Sequence, residues 1–394
     1  MKILYCTTEL QYSNSSAAIR NRILLSGLAE HAIVDVLELP LTSTLDRDCS
    51  DLFNQYYIVE SFVSDEHSNN RDLSFKNKLM MVFKNKLRPY IPDFLFFKDA
   101  GLDEVVNFSD YDVVISSSEP KGLHRVISKS ISSYDSKSFL FVQYWGDPWY
   151  DDISRPTNII TKIIEGRLIS KADCLIYNSS LTLERQKKIY KKQAHKMNYV
   201  PRGLQFSCNF NSDSKFSVKS TDSFSVLYAG DYRSNYRNIQ NLVDSCLKLD
   251  VNLSIAGSGD FKKGDNFNSE IIKEYGRIPS SELSILRKNV DIEIVVMNSK
   301  GGQLPGKVFD VMLSNKLVIL ILDGDFSYEN IPCQERFIIV NNNKEEIESM
   351  LNSLLSSGYS YEYNFGLFSD YLISNLTSDI VEKFEEMLNE NINH

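Results

Sequence analysis

The chain has 394 residues, enough for two or three domains with sizeable cores. Hydrophobic residues make up 42% and charged residues 24%, as in ordinary globular proteins. The formal net charge of −9 at pH 7 argues against nucleic acid as a partner, because the phosphate backbone repels an acidic surface.

Three features of the sequence indicate the cellular compartment of the protein: its N-terminus, its apolar runs and its cysteines. The first residues, MKILY, begin a strand directly and leave no room for a signal peptide. No apolar run approaches the roughly 20 residues that span a bilayer. We therefore expect a cytoplasmic protein, soluble or peripheral on the inner face of the plasma membrane. Its cysteines lack metal-ligand spacing and are expected to be reduced: Cys6, Cys49, Cys174, Cys208, Cys246 and Cys333.

Short apolar strands alternate with helix-like segments through the first half, which is typical of a parallel α/β sheet. A small polar loop with Ser15 and Ser16 lies between the first strand and a helix predicted at 19–28. Ligands of such sheets bind at the carboxyl ends of the strands, so we expect this loop to face a ligand. The predicted strands are 3–7, 33–39, 113–116, 139–143 and 174–177.

The segment 71–98 is basic in an otherwise acidic chain. It has seven basic and two acidic residues, and its lysines alternate with large apolar and aromatic side chains. Such a segment can lie on an anionic membrane surface. The alternative is a helix that packs on its own domain and keeps its lysines in water.

Two carboxylates are expected at strand ends. Glu119 follows the strand at 113–116, and Asp147 follows the strand at 139–143 in a turn between glycine and proline. Asp147 is suited to act as a base or as electrostatic support, or else it caps the next helix.

Both tryptophans of the chain, Trp145 and Trp149, flank this turn. Their faces can stack on a ligand ring, or they anchor the core. His124 lies in the predicted helix 121–131, and we expect a surface or satisfied histidine there rather than a catalyst.

A polar stretch at 206–223 is predicted as a linker. The strand pattern restarts at 224–229 and opens into Gly230, followed by Arg233 and Arg237. Because guanidinium binds phosphate bidentately, this loop predicts a phosphate site. Further strands are predicted at 251–256 and 291–296.

The stretch 301–324, GGQLPGKVFDVMLSNKLVILILDG, predicts a loop, an amphipathic helix and a strand covered on both faces. Pro305 suits the first helical turn, where free N–H groups and the helix dipole favour an anion, and Gly306 permits close approach. Lys307 adds a charge there, and Asp310 lies about one turn on, on the same face. A nucleoside diphosphate offers a partner to both groups. The alternative is an ordinary αβ unit in which both side chains are merely solvated.

This stretch resembles the donor-binding segment of family 4 of the GT-B glycosyltransferases, a family of retaining enzymes, through its P-x-K-x-x-acid core. In that family the lysine contacts the donor phosphates and the acid contacts the ribose hydroxyls, which implies these roles for Lys307 and Asp310. The chain departs from the family twice. Asp310 replaces a glutamate, and Gly302 stands where another glutamate is usual, so only backbone can act there.

Four further segments resemble motifs of the family, in the family's order. The segment 172–179 resembles A-D-x-x-I-x-x-S, and 200–203 resembles the V-P-N-G entry to the hinge. The loop 230–238 resembles its G-x-x-x-x-(K/R)-(G/N) turn. The segment 276–283 resembles the G-x-(V/I)-P-x-x-E-L turn, which holds the nucleobase mainly by backbone.

The resemblance implies the GT-B architecture, an α/β fold of two Rossmann-like domains that face each other across a cleft. The first domain, 1–205, is expected to bind the acceptor, with 375–394 packing back on it. The linker 206–223 then leads to a nucleotide-sugar-binding domain at 224–374.

The predicted function is a metal-independent hexosyltransferase that retains configuration and uses no cofactor beyond its nucleotide-sugar donor. The acceptor is expected to be a glycan or lipid-linked glycan in bacterial surface polysaccharide synthesis, such as lipopolysaccharide. A non-catalytic glycan-binding or scaffold subunit and a nucleotide-sugar epimerase of the same fold remain as alternatives. The predicted site residues are Asp147 and Glu119 (catalytic); Arg233, Arg237, Gly306 and Lys307 (diphosphate); Asp310 (ribose); Gly276, Arg277 and Ile278 (nucleobase); Gly302, Gln303 and Leu304 (sugar); Ser15, Ser16, Trp145 and Trp149 (acceptor).

Overall fold

The computed structural model describes residues 1–13, 15–60, 101–134, 138–205, 213–218 and 223–392. The chain divides into two compact units, the first formed by Met1–Gln205 with Asp370–His394 and the second by Phe206–Ser369. Each unit has its own parallel sheet with helices against it. The predicted fold class, two Rossmann-like α/β domains, is confirmed.

The first unit contains a seven-stranded parallel sheet in the order β3-β2-β1-β4-β5-β6-β7. The strand order reverses between β1 and β4, and in open α/β sheets the crevice at such a reversal is where ligands bind. The two outermost strands, three residues each, were not predicted. The strands are β1 (Lys2–Thr7), β2 (Ile33–Glu38), β3 (Tyr56–Ile58), β4 (Val113–Ser117), β5 (Leu140–Trp145), β6 (Cys174–Tyr177) and β7 (Met197–Tyr199).

Helices cover both faces of this sheet, because successive strand residues point to opposite sides. One face carries α1 and α9, whose apolar residues pack with Ile3 and Tyr5 of β1. The other face carries α2, α3 and α4, which pack with Leu4 and Cys6 of the same strand. The helices are α1 (Ser16–His31), α2 (Gly122–Ile131), α3 (Ile159–Ile169), α4 (Ser180–Ile189) and, at the end of the chain, α9 (Ile373–Ile392).

The second unit contains a six-stranded parallel sheet in the order β11-β10-β9-β12-β13-β14. Strand β13, which lies between β12 and β14, is the predicted run LVILIL and is buried along its whole length. The sheet strands are β9 (Ser225–Ala229), β10 (Asn252–Ala256), β11 (Ile272–Gly276), β12 (Ile292–Val296), β13 (Leu317–Leu322) and β14 (Ile338–Asn341), and the helices are α5 (Gln240–Leu249), α6 (Ser280–Lys288), α7 (Lys307–Met312) and α8 (Lys344–Ser357).

The predicted linker 206–223 is not irregular throughout. Residues Asp213–Val218 form a strand, β8, that pairs antiparallel with β15, Tyr359–Asn364. The partner strand lies more than 140 residues away in the sequence, so no local sequence pattern predicts the pairing. The rest of the linker, apart from 223, and the whole basic segment 71–98 lie outside the described residues.

Short 3₁₀ helices fill several connections, and no helix among the described residues is long and apolar enough to cross a membrane. The 3₁₀ segments are Ser50–Leu52, Leu102–Glu104, Phe108–Asp110, Lys191–Lys196, Tyr328–Asn330, Gln334–Arg336 and Phe365–Tyr371.

The contact between α1 and α9 depends on a glycine. A Cβ on Gly27 would lie 2.7 Å from side-chain atoms of both Ile373 and Thr377. Ile380, Val381 and Phe384 continue the same packed face of α9. The last helix therefore belongs to the core of the first unit.

The substitution Gly27→Ala is expected to destabilise the first unit by about 1–3 kcal/mol, because the added methyl group overpacks the helix contact. Urea unfolding followed by tryptophan fluorescence reports this unit selectively, since Trp145 and Trp149 are the two tryptophans of the chain. Alanine normally stabilises a helix interior relative to glycine. A gain in stability, or a loss no larger than that of the exposed control Glu30→Ala, would contradict the tight contact.

Candidate functional site

The carboxyl ends of β9, β10 and β12 meet at one edge of the second sheet because these neighbouring strands are parallel. The loop after β9 closes on itself: the N–H of Arg233 donates to the carbonyl of Arg237 at 3.0 Å, and the reverse bond is 2.9 Å. The side chain of Arg233 is exposed, and that of Arg237 is half-buried. Both arginines therefore lie at the edge where open parallel sheets of this kind commonly bind ligands.

Arg237 is held in place by its neighbours. Its Nε and Nη2 donate to Oδ1 of Asn298 at 3.1 and 2.8 Å, and its Nη1 donates to the carbonyl of Asp231 at 3.1 Å. Asn298 in turn donates from Nδ2 to the carbonyl of Gln303 at 2.8 Å. This chain of bonds connects the loop after β9 to the loop before α7. Asn298 was not predicted as a site residue. The sequence shows only that a polar residue follows an apolar strand at this place.

The loop after β10 lies directly against the loop after β9. A Cβ on Gly257 would lie 2.0 Å from the carbonyl oxygen of Gly230, and one on Gly259 would lie 2.1 Å from that of Tyr232. Only glycine permits such an approach of two backbones. This contact explains the two glycines in the sequence G-S-G-D at 257–260.

Lys307 and Asp310 lie on the same face, as the sequence predicts. Nζ of Lys307 is 3.3 Å from Oδ2 of Asp310, and the two side chains are 34% and 27% exposed. A partly exposed pair of this kind contributes little to stability. Breaking this ion pair so that each side chain can bind a ligand therefore costs little free energy.

The predicted helix start is a weaker anion site than expected. Helix α7 has only six residues, so its dipole is small. The N–H groups of Val308 and Phe309 already donate to the carbonyls of Pro305 and Gly306, at 3.0 and 3.1 Å. An anion at this place would depend mainly on the full charge of Lys307.

The predicted sugar-binding residues form the loop before α7. Gly302 and Gln303 are buried, and Leu304 is half-buried. The carbonyl of Gln303 is the acceptor for Asn298, so this backbone is fixed relative to Arg237.

The predicted nucleobase turn follows β11. Gly276 has φ = +68°, a conformation that favours glycine. Arg277 is exposed and makes a bidentate ion pair with Asp231, whose Oδ1 also accepts the N–H of Ser258 at 3.0 Å. Hydrogen bonding from Arg277 lowers the pKa of Asp231. Ile278 packs against the same buried cluster as the apolar residues of α6. Asp231 thus connects three loops of this edge, and sequence reasoning missed it.

A cluster of charged side chains lies at the carboxyl ends of β4 and β5 in the first unit. Nζ of the buried Lys121 is 2.6 Å from Oε1 of Glu119 and 3.5 Å from Oδ2 of Asp152. Arg20, also buried, donates to the carbonyl of Ser118. Lys121 and Arg20 were missed because each stands in a segment read only as a helix.

Asp147 belongs to this cluster. The pKa of Asp147 is raised from 3.8 to about 6, chiefly by burial and also by Glu119 and Asp152, while Lys121 and Arg20 lower it. The alternative role as a helix cap is wrong, because the next helix, α3, is capped by Asn158. A carboxylate with a pKa near neutrality suits a general base.

The expectation that Trp145 and Trp149 present faces to an acceptor is wrong for this structure. They are 0% and 1% exposed, and their rings pack edge to face at 6.4 Å. They are core anchors, which was the alternative interpretation. His124 is also buried, with Nδ1 2.6 Å from Oγ of Ser116, and burial lowers its pKa to about 3.

The two predicted acceptor serines lie at the start of α1. Ser15 caps this helix, accepting the N–H of Ala18 at 3.0 Å, and its hydroxyl donates to Glu9. Burial raises the pKa of Glu9. Ser16 is exposed. Ser15 thus has a structural role that leaves Ser16 as the accessible hydroxyl of the pair.

The substitution Lys121→Met is expected to raise the pKa of Asp147, because it removes the positive charge that lowers this pKa most. Carbon-13 NMR of labelled aspartate measures this pKa, expected near 6 in the native chain. The exposed control Lys129→Met should leave it unchanged, with circular dichroism to verify folding. An Asp147 that titrates near 3.8, or that ignores Lys121→Met, would contradict the described cluster.

No protein-family model matches the sequence, and no curated protein matches it. The fold is nevertheless similar to solved structures over nearly the whole chain. A glycosyltransferase of Rickettsia africae gives a TM-score of 0.57 at 14% identity, with 98% of each chain covered. The lipopolysaccharide outer core galactosyltransferase WaaB gives 0.56 at 13%, covering 98% of this chain and all of its own. HepE of Anabaena, solved with UDP, gives 0.51 at 12%, covering 100% of this chain and 98% of its own. These likenesses show the fold that GT-B glycosyltransferases share.

Proposed function

We propose that the chain is a glycosyltransferase that moves a sugar from a nucleoside diphosphate sugar to a glycan or lipid-linked glycan. The observation that carries the proposal is the edge of the second sheet. There Arg237 is fixed through Asn298 to the loop that leads into Lys307 and Asp310. That edge belongs to a fold shared with solved glycosyltransferases, one of which holds UDP.

The donor diphosphate binds to the cations of this edge. Lys307 contacts the phosphates together with Arg237 or Arg233. Asp310 then no longer pairs with Lys307, and its carboxylate accepts hydrogen bonds from the ribose hydroxyls. The turn at Gly276 receives the nucleobase, and the backbone from Gly302 to Leu304 receives the sugar. Gly306 lets the phosphates approach closely.

Transfer breaks the bond between the anomeric carbon and the diphosphate oxygen, and the electron pair passes to the leaving diphosphate. Lys307 and the arginines offset the charge that develops there, so the reaction proceeds without a metal ion or cofactor. The acceptor oxygen forms the new bond and its proton passes to a base. The base is Asp147 or the leaving diphosphate, and Glu119, paired with Lys121, gives electrostatic support.

We further propose that the two units face each other across a cleft, that hexose is transferred with retention, and that Ser16 lies on the acceptor side. Bacterial surface polysaccharide synthesis is the proposed pathway, since one similar structure is named as a lipopolysaccharide transferase. The proposed location is cytoplasmic, with the expected membrane contact at 71–98 outside the described residues.

The nucleotide site is tested by calorimetric titration of UDP, GDP, ADP, CDP and TDP in EDTA. One base is expected to be preferred. Lys307→Ala should weaken that binding about tenfold or more, which is the 1.4 kcal/mol expected of one charged hydrogen bond. The control Lys344→Ala, at the exposed start of α8, should bind as the native chain does.

Binding that survives Lys307→Ala would place the nucleotide elsewhere. Absence of binding in a folded protein would support the alternative of a non-catalytic scaffold, which the lack of an acid at Gly302 makes worth testing. If the nucleotide binds, the products formed from the donor distinguish the two enzyme classes. Transfer or hydrolysis of the sugar indicates a transferase, whereas inversion of one stereocentre of the sugar indicates an epimerase.

A further inference from the structure

Helix α3 exposes isoleucine at its N-terminal end. Ile159, Ile160 and Ile163 are 65%, 60% and 48% exposed. At about 100° per residue these three lie on one side of the helix. The opposite side holds its buried residues Thr161, Glu165, Leu168 and Ile169. Three neighbouring aliphatic side chains in water differ from the scattered single exposures that any protein surface shows.

The same region is the basic part of an acidic chain. Residues 155–196 contain ten Lys and Arg against three Asp and Glu, while the chain as a whole has a net charge of −9. Two of the three acids are turned inward. Glu165 accepts the N–H groups of Trp149 and Tyr150, and Asp173 accepts that of Phe141. Arg155 and Arg185 pair with Asp152 and Asp151, which lie just before this range. The other eight cations leave the charge of the region positive.

The helices that carry these residues are bonded together. The hydroxyl of Tyr190, which follows α4, donates to the carbonyl of Lys162 at 3.1 Å and to Glu165 at 2.8 Å. Nζ of Lys196 donates to the carbonyl of Ala172 at 2.8 Å. We name the result the α3–α4 surface, which consists of Ile159, Ile160, Ile163, Arg167, Lys187, Lys188, Lys191 and Lys192, all exposed.

We propose that the α3–α4 surface docks the first unit on a bilayer that contains anionic lipid. The isoleucines enter the boundary between headgroups and acyl chains, and the lysines bind the negative headgroups. The surface shares no residue with the proposed nucleotide site or with the segment 71–98, so the inference does not depend on either.

The composition of the surface favours lipid over other occupants. Protein interfaces are depleted in lysine and enriched in aromatic residues, whereas this surface has four lysines and aliphatic side chains. Nucleic acid gains nothing from three isoleucines, and single strands are bound through aromatic stacking. Lysine beside exposed aliphatic residues is the pattern of helices that lie in a membrane interface.

The test is flotation of the full chain with vesicles of phosphatidylcholine and phosphatidylglycerol, compared with phosphatidylcholine alone. The native chain is expected to float only with the anionic vesicles, and less at high salt. The quadruple variant Lys187→Gln, Lys188→Gln, Lys191→Gln, Lys192→Gln should lose at least about tenfold in partitioning, since each lysine near such a surface contributes about fivefold. The triple variant Ile159→Gln, Ile160→Gln, Ile163→Gln should lose the apolar part of vesicle binding, which is the part that does not depend on salt.

Matched controls lie in the second unit. Ile285→Gln removes an isoleucine that is 59% exposed, and neutralising Lys248, Lys273, Lys288 and Lys344 removes four exposed lysines. These variants should float as the native chain does. Nucleotide titration run in parallel should be unchanged in all variants, which distinguishes failure of this surface from failure of the proposed function.

Three results would overturn the proposal. The first is that the native chain fails to float with anionic vesicles. The second is that both surface variants float as the native chain does, and the third is that flotation does not depend on the lipid charge. Self-association that the isoleucine variant abolishes, without vesicle binding, would show that a second copy of the chain occupies the surface instead.

Discussion

The guanidinium of Arg237 is the interaction on which the candidate nucleotide site depends. It donates twice to one amide oxygen of Asn298 and once to a backbone carbonyl of its own loop, at 2.8 to 3.1 Å. Because Asn298 also holds the carbonyl of Gln303, two loops that follow different strands become one structure. A rigid arrangement of this kind presents positive charge without reorganisation when a phosphate arrives.

A second constraint comes from the parallel sheets. Parallel strands bring their carboxyl ends to one edge, so residues far apart in the chain meet there. In the first unit this places Glu119 and Asp147 around the buried ammonium of Lys121. In the second it places Asp231, Ser258 and Arg277 in contact. The buried ammonium of Lys121 would be costly alone and is compensated by its carboxylates, whereas Arg277 and Asp231 form an exposed pair.

Much of the fold follows from local pattern. The run LVILIL in β13 predicts a strand buried on both faces, and short apolar runs also predicted most other strands of the two sheets. What local pattern does not show is pairing over long sequence distance. The strand β8 lay inside a predicted linker because its partner, β15, follows more than 140 residues later. The edge strands β3 and β7 are three residues each, too short to show a period.

The site was predictable where spacing within one element decides geometry. Lys307 and Asp310 are three residues apart on a helix and lie within 3.3 Å of each other. It was not predictable where burial decides. The turn sequence around Trp145 and Trp149 suited a ligand platform equally well, and only the packed core shows that both rings are covered. Asn298 and Asp231 act through partners on other loops, which sequence does not bring together.

Hydrogen exchange with and without a nucleoside diphosphate tests the central claim most directly, because it locates a ligand without changing any residue. Proteolytic fragments that cover 230–237, 257–260, 276–278 and 302–310 should exchange more slowly in the presence of the preferred nucleotide, while fragments from the sheet interior stay unchanged. Protection confined to other segments, or no protection at saturating nucleotide, would contradict a donor site at this edge of the second unit.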